Sequence, residues 1–352
     1  MTTTPATEPD GTPGAALRFD APLDAAYDQI EHQATGLAAA GFDGGFTLES
    51  NRDVLFPLVL AARSGAGLDL YPNVAIGLPR SPMHLAYQAW DLHRLSGGRF
   101  ALGLGSQIRP HIEKRYSARW DRPVRQMREL VAATKAIFRT FHEGAPLDFR
   151  GDYYTHTLMT PTFIPAPLEW GPPPIWMGAL GPQMTTAAAE VADGVLIHPF
   201  NTERFLREHT LPRVARGLAT SGRDRKDFTV GVTVIVCVYS TEEERAAAEN
   251  GCRFNLAFYG STPSYRVTLD VHGWGDVQPE LNRLSKEGRW AEMGALIDDE
   301  MLRTICVCGT PAEVAAQLRE RYTGVADRIA FSMPYGVRLD LLAEVLDRAK
   351  TQ

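Results

Sequence analysis

Hydrophobic residues along the chain follow two periods, one typical of strands and one typical of helices. Short runs rich in branched and aromatic residues, such as Phe228 to Tyr239, predict buried strands. Between these runs apolar residues recur at helical spacing, as in Pro123 to Phe141. Joints marked by glycine or proline separate the two kinds of segment. This alternation predicts a parallel sheet whose strands are connected by crossover helices.

The pattern gives seven clear strands, and Leu17 to Phe19 is the candidate for the first of eight. The seven are Gly44–Leu48, Leu68–Ile76, Arg99–Gly105, Ile175–Met177, Val195–His198, Phe228–Tyr239 and Arg328–Pro334. Eight such units close into a (β/α)8 barrel, and an open doubly wound sheet is the competing fold. Gly103-Leu104-Gly105 is followed by Ser106, so the dinucleotide-binding fingerprint of the open sheet is missing. We therefore predict the α/β class and a (β/α)8 barrel.

Two segments depart from this rhythm. Residues 146–174 hold a predicted hairpin and a Pro-rich stretch, and residues 259–303 are long for a connection between barrel elements. We predict a single domain over residues 15–352, with both segments inserted at the C-terminal mouth of the barrel, where active sites lie. Residues 1–14 lack a basic start and an apolar core, so they predict a disordered tail rather than a signal peptide.

Composition limits the class of protein further. The net charge of −6 argues against a nucleic-acid or anionic-membrane partner, because both select for clustered Lys and Arg. No apolar run approaches the roughly 20 residues that span a bilayer. The four cysteines, Cys237, Cys252, Cys306 and Cys308, lack the spacing of a zinc site and predict reduced thiols in a cytoplasmic protein without a metal.

No sequence motif for a metal site, a nucleophilic serine or a P-loop is found, which leaves a bound organic cofactor as the source of reactivity. Gly178 to Met184 lies between a strand and a helix, where small residues and free N–H groups can hold a phosphate; it can also be an ordinary turn. Glu49, Gln107, His111 and His198 follow strand ends that face the same mouth. Each of them has an alternative role in packing or in a loop.

Several blocks together resemble one known family. They are Gly41–Gly44, Arg80–Pro82, the continuous run Asp91–Ser106, Trp120–Pro123, Met127–Glu129, Gly178–Met184, Ala192–Gly194, His198–Phe200, Tyr259–Pro263 and His272–Trp274. The block Ser96-Gly97-Gly98-Arg99-Phe100 is the most specific of them. The chain resembles the luciferase-like monooxygenase superfamily, and within it the actinobacterial branch that uses the deazaflavin coenzyme F420.

The resemblance implies a (β/α)8 barrel with a flavin-type ring at its C-terminal mouth and a non-prolyl cis peptide at Asn73–Val74. It implies cofactor contacts at Asn73, Val74, Gly105, Ser106, Leu180, Gly181, Pro182, Met184 and His198. Glu49 matches the family's acidic residue after the second strand, and Gln107 lies in the segment that matches its Gly-rich loop after the fourth. With His111, which follows the fourth strand on the mouth side, they are the candidate catalytic residues. Two positions depart from relatives. Ser50 stands where histidine is common, and Ile108 stands where some deazaflavin enzymes have a catalytic glutamate.

The expected activity is hydride transfer between coenzyme F420 and a small organic substrate. One alternative is an FMN-dependent monooxygenase that uses O2 and receives reduced flavin from a partner reductase. A second is a cofactor-binding barrel that has lost catalysis. The resemblance and the apolar stretch Phe56 to Ala62 further predict a homodimer through the helices that follow the second and third strands.

Overall fold

The structure is a computed structural model that describes residues 16–351. The predicted tail, residues 1–14, lies outside the described residues.

Eight parallel strands form the barrel. They are β1 (Arg18–Pro22), β2 (Gly44–Thr47), β3 (Asp69–Pro72, continued by Ala75–Ile76), β4 (Leu102–Gly105), β5 (Ile175–Ala179), β6 (Gly194–Ile197), β7 (Thr229–Val238) and β8 (Arg328–Ser332). Each strand pairs with the next along the chain, and β8 pairs with β1, with Phe19 opposite Ile329. The path of paired strands starts at the first half of β3 and ends at its second half, which pairs with β4. Leu70 in the first half bridges Phe100, which precedes β4, so the two ends of the path meet. The predicted (β/α)8 barrel is therefore confirmed.

Helices surround the barrel: α1 (Ile30–Ala39), α2 (Phe56–Arg63), α3 (Pro82–Leu95), α4 (Pro123–Glu143), α5 (Pro182–Val191), α6 (Leu211–Ser221), α7 (Glu242–Gly260), α8 (Arg266–Asp270), α9 (Val277–Lys286), α10 (Trp290–Met293), α11 (Asp299–Ile305), α12 (Pro311–Tyr322) and α13 (Leu339–Thr351). Two helix starts follow from local sequence signals. Ser81 followed by Pro82 predicts the N-cap of α3, Thr310 with Glu313 predicts a capping box before α12, and both are present. Within residues 16–351, no helix is both long and apolar enough to cross a membrane.

The specific block at the end of α3 has a local structural explanation. Gly97 and Gly98 both have positive φ angles, which end the helix after Leu95. A Cβ atom on Gly98 would lie 2.5 Å from the Trp170 ring, so glycine also allows this ring to pack there. The His93 ring meets the Phe100 carbonyl at 2.9 Å and ties the helix end to the chain entering β4.

The segment between β7 and β8 differs from the prediction in one respect. The pattern predicted an insertion over residues 259–303, whereas the structure places α7 to α11 together as one excursion from the C-terminal end of β7. A short strand, Val307–Gly309, then returns to pair with Val236–Val238 of β7, and α12 is the crossover to β8. This strand was missed because three residues carry too little periodicity to be detected.

The excursion also gathers the four cysteines, which are distant in sequence. All four are buried and none of the four forms a disulfide. Cys237 lies opposite Cys308 across the strand pair. The Cys237 thiol interacts with the thiols of Cys252 and Cys308. Within residues 16–351, no group of His, Cys, Asp and Glu side chains is arranged to hold a metal ion.

A buried ion-pair network closes the bottom of the barrel. Arg328, the first residue of β8, binds both carboxylate oxygens of Asp20 at 2.6 and 2.9 Å and Asp69 at 2.7 Å. The Tyr71 hydroxyl donates to Asp20 at 2.7 Å. Gly44 makes room for the network, because a Cβ atom there would lie 2.4 Å from Asp20 Oδ1 and 2.6 Å from Arg328 Nη2.

Candidate cofactor and active site

The predicted site residues converge at the C-terminal mouth because the strands that precede them are parallel neighbours. Glu49 follows β2, Asn73 and Val74 interrupt β3, Ser106 follows β4, and His198 follows β6. Leu180 and Gly181 follow β5, which lies between β4 and β6. The structure therefore brings these segments to one end of the barrel, as expected of this fold.

The turn after β5 forms the start of α5. Gly181 is its N-cap with φ −72° and ψ 156°, and Pro182 occupies the first helical position. The Gly181 carbonyl accepts from the Thr185 N–H at 3.0 Å, and no side chain caps the helix. Among the described residues, the N–H groups of Gln183 and Met184 have no hydrogen-bond partner, so they are free to bind an anion.

The space beside Gly181 is open. A Cβ atom built on this glycine meets no atom within 4 Å. A cavity of about 420 Å³ adjoins the turn and is lined by Leu180, Pro182, Arg213, Val267 and Val271, among others. The turn thus combines free donors with room for a ligand group.

The bulge in the third strand has the predicted cis peptide bond between Asn73 and Val74. The Val74 side chain lies between β4 and β5, because a Cβ atom on Gly105 would come within 2.3 Å of its Cγ2 and one on Gly178 within 3.1 Å of its Cγ1. The Asn73 amide donates across the barrel to the Thr233 hydroxyl at 3.0 Å. The two glycines thus allow Val74 to occupy the inner wall of the mouth.

Glu49 is tied into hydrogen bonds through both carboxylate oxygens. Arg80 binds them at 2.8 and 2.9 Å, the Ile76 N–H donates at 2.6 Å, and the Tyr116 hydroxyl donates at 3.0 Å. Its side chain is 7% exposed. Through these hydrogen bonds the Glu49 side chain links β2 to the loops that follow β3 and β4.

Gln107 and His111 lie on the loop after β4, between Gly105 and Pro123. Gln107 has φ +58°, and its side-chain oxygen accepts from the Ile108 N–H at 3.0 Å. Ser117 and Arg122 on the same loop also have positive φ, and no other non-glycine residue in the described part of the chain does. Such conformations concentrate at functional sites. His111 is exposed at the start of a π-helical turn that ends at Arg115.

His198 is held in one tautomer by its neighbours. Its Nδ1 accepts from the Phe200 N–H at 3.1 Å, so the neutral ring carries its proton on Nε2. Nε2 meets the Tyr265 hydroxyl at 3.3 Å. Burial lowers the pKa of His198 to about 4 and raises the pKa of Tyr265 to about 12, so both groups are neutral near pH 7.

Tyr265 belongs to the excursion after β7 and contacts the His198 ring, with centroids 4.6 Å apart. A second link joins the same elements, where the Thr202 hydroxyl meets His272 at 2.8 Å and His272 stacks on Trp274. Of these residues, His272 and Trp274 were noticed in the sequence only through the family resemblance. Arg80, Tyr116 and Tyr265 were not predicted as site residues, because their partners lie 31 to 67 residues away in the chain.

Comparisons with known proteins agree with the fold. The family model described as luciferase-like monooxygenase matches residues 2–328. An uncharacterized protein of Mycobacterium tuberculosis is 47% identical over 89% of this chain and 92% of its own length. The 5,10-methylenetetrahydromethanopterin reductase of Archaeoglobus fulgidus is 29% identical over 89% of this chain and 92% of its own length.

Among solved structures, the coenzyme F420-dependent tetrahydromethanopterin reductase of Methanopyrus kandleri superposes with a TM-score of 0.77 at 21% identity, covering 96% of this chain and 98% of that one. The fold is that of the luciferase-like oxidoreductase barrels. The chain belongs to the luciferase-like family of F420- and flavin-dependent oxidoreductases and monooxygenases.

Proposed function

We propose that this chain is a coenzyme F420-dependent oxidoreductase that transfers a hydride to or from a small organic substrate at the barrel mouth. One observation carries the proposal. A reductase of Archaeoglobus fulgidus aligns with nearly the whole chain, and the similarly named reductase of Methanopyrus kandleri, which shares the fold, is described as F420-dependent. The substrate is left as a small organic molecule.

The residues at the mouth fit such a cofactor. The free N–H groups of Gln183 and Met184 would hold its phosphate, and the missing Cβ of Gly181 leaves the approach open. Leu180 and Pro182 would line the phosphate approach, and His198 would be the second contact, as a neutral ring that donates through Nε2. Val74, Asn73, Gly105 and Ser106 would face the ring. When bound, the deazaflavin supplies a ring carbon that carries the hydride.

The chain's own residues would orient the substrate and handle its proton. Glu49 would act as a positioning residue, since Arg80, Tyr116 and the Ile76 N–H already occupy its oxygens. Gln107 would donate a hydrogen bond to the substrate. His111, whose ring has no partner among the described residues, would be the group able to exchange a proton with solvent.

An FMN-dependent monooxygenase is the second candidate, because the matched family is described by that activity. Titration of the purified protein with F420 and with FMN separates the two, using the absorbance and fluorescence of each cofactor. F420 binding, followed by single-turnover hydride transfer to a reducible substrate panel, supports the first. Tight binding of FMN without binding of F420 would replace it with the second.

A further inference from the structure

Tyr116 reaches the candidate site through a short chain of hydrogen bonds. It lies on the loop after β4, and its hydroxyl donates to Glu49 Oε1 at 3.0 Å. The same carboxylate accepts from the Ile76 N–H, and Ile76 lies two residues after Val74 in β3. One carboxylate thus joins the Tyr116 oxygen to the strand whose Val74 side chain forms the inner wall of the mouth.

Glu49 has no acceptor position left for a substrate. A carboxylate offers about four positions at which a donor can bind. The two terminal nitrogens of Arg80, the Ile76 N–H and the Tyr116 hydroxyl fill them, at distances of 2.6 to 3.0 Å. A substrate can therefore meet this cluster without breaking one of these bonds only at the Tyr116 oxygen.

The Tyr116 oxygen can accept a hydrogen bond, but its proton is already in use. Burial and the neighbouring Glu49 carboxylate raise the pKa of Tyr116, so the hydroxyl keeps its proton at neutral pH. That proton points at Glu49, and a hydrogen bond to a charged group is stronger than one to a neutral ligand. No donor in residues 16–351 binds the Tyr116 oxygen, so a lone pair on it stays open.

The position of Tyr116 is fixed from two sides. The Arg115 guanidinium lies 5.1 Å from the centre of the Tyr116 ring and donates to the Ser50 carbonyl at 2.7 Å, which ties this loop to the one after β2. The Tyr116 N–H donates to the His111 carbonyl at 3.0 Å. The open lone pair is therefore held in one place, which discrimination between similar ligands requires.

We propose that Tyr116 is a specificity-determining residue that accepts a hydrogen bond from a hydroxyl or amino group of the substrate. This inference rests on the proposed function. An O–H or N–H group donates to the open lone pair, whereas a ketone oxygen would place a second acceptor against it. The mouth therefore favours an alcohol or an amine over the corresponding carbonyl compound.

The test uses ligands that bind without reacting. Protein loaded with oxidised F420 is titrated with a tertiary alcohol and with a ketone, and the fluorescence of the bound cofactor is followed. tert-Butanol is compared with acetone, and cumyl alcohol with acetophenone. A tertiary alcohol has an O–H group but no hydrogen on the carbon that bears it, so neither member of a pair can give a hydride to the cofactor.

Two variants are compared with the wild type. Tyr116→Phe removes the hydroxyl and keeps the ring. Tyr87→Phe is the matched control, because the Tyr87 hydroxyl donates to the Phe163 carbonyl, between α3 and the inserted segment 146–174. Melting temperatures establish that both variants are folded, and F420 titration establishes that they are loaded.

We expect the wild type and Tyr87→Phe to bind the alcohol of at least one pair about fivefold more tightly than the ketone, and Tyr116→Phe to lose this preference. Equal binding, tighter binding of the ketones, no binding of either alcohol, or a preference that survives in Tyr116→Phe overturns the inference and leaves F420 binding intact. Absence of F420 binding in the wild type overturns the proposed function itself.

Discussion

Replacing Gly181 with valine separates a phosphate site from an ordinary turn. If the turn before α5 holds the cofactor phosphate, a branched side chain at this position occupies the approach to the Gln183 and Met184 N–H groups. If Gly181 instead serves only the turn, its replacement damages the fold first. The two explanations therefore predict opposite orders of effect on stability and on binding.

The structure allows the effect on the cofactor-free protein to be estimated. Gly181 has φ −72° and ψ 156°, a region that any residue adopts, and its Cβ would meet no atom within 4 Å. Valine is a poorer N-cap than glycine, but loss of glycine also restricts the unfolded chain, and these effects oppose each other. We expect the free energy of unfolding to change by less than about 1 kcal/mol.

The effect on binding is larger because the Gln183 and Met184 N–H groups would donate to a charged phosphate. Displacing the phosphate from one N–H group removes a hydrogen bond to a charged group, which is worth about 1.5–3 kcal/mol. We expect cofactor affinity to fall by at least about tenfold, which corresponds to roughly 1.4 kcal/mol.

Melting temperature without cofactor and cofactor affinity by fluorescence titration should be measured on the same preparations. Gly294→Val is the matched control, since Gly294 has φ −60° and an equally open Cβ position but lies on the excursion after β7. Unchanged affinity in a folded Gly181→Val protein would show that the phosphate lies elsewhere. A large loss of stability would show that the glycine serves the turn.

Three other perturbations test separate features. Gly44→Ala should lower the free energy of unfolding by about 3 kcal/mol in urea, because the new Cβ displaces the buried Asp20–Arg328 pair. Gly36→Ala is the control and should not destabilise the protein, because a Cβ atom there would lie 3.6 Å from its nearest neighbour. Above pH 6.5, His198 is neutral in both the folded and the unfolded chain, but as the pH falls toward 4 only the unfolded chain takes up a proton at this residue. Over that window the free energy of unfolding of the wild type should fall by up to about 3 kcal/mol more than that of His198→Asn. Parallel pH profiles of the two proteins would contradict the assignment. Phe56, 64% exposed on α2, should lie in a homodimer interface, so sedimentation should show a wild-type dimer and a Phe56→Glu monomer, and a wild-type monomer would refute the dimer.

Much of the fold could be predicted because its signals are local. The strand and helix periods, Ser81 and the Thr310–Glu313 capping box set the order of the elements within a few residues of the observed bounds. The strand-to-helix turn at Gly181 was predicted in the same way, since glycine followed by proline marks a helix start. The cis peptide at Asn73–Val74 came from the family resemblance and is confirmed.

The sequence by itself thus determined the barrel and the segments that reach its mouth, because both depend on neighbours along the chain. Only the tertiary structure decided what those segments meet. Barrel closure brings Tyr116 to Glu49, Tyr265 to His198, and Cys237 to Cys308. Helix packing brings Arg213 and Arg216 beside the first turn of α5, through a contact that Gly217 permits. Contacts between residues far apart in sequence produce no hydrophobic period along the chain, because their geometry exists only once the sheet has closed.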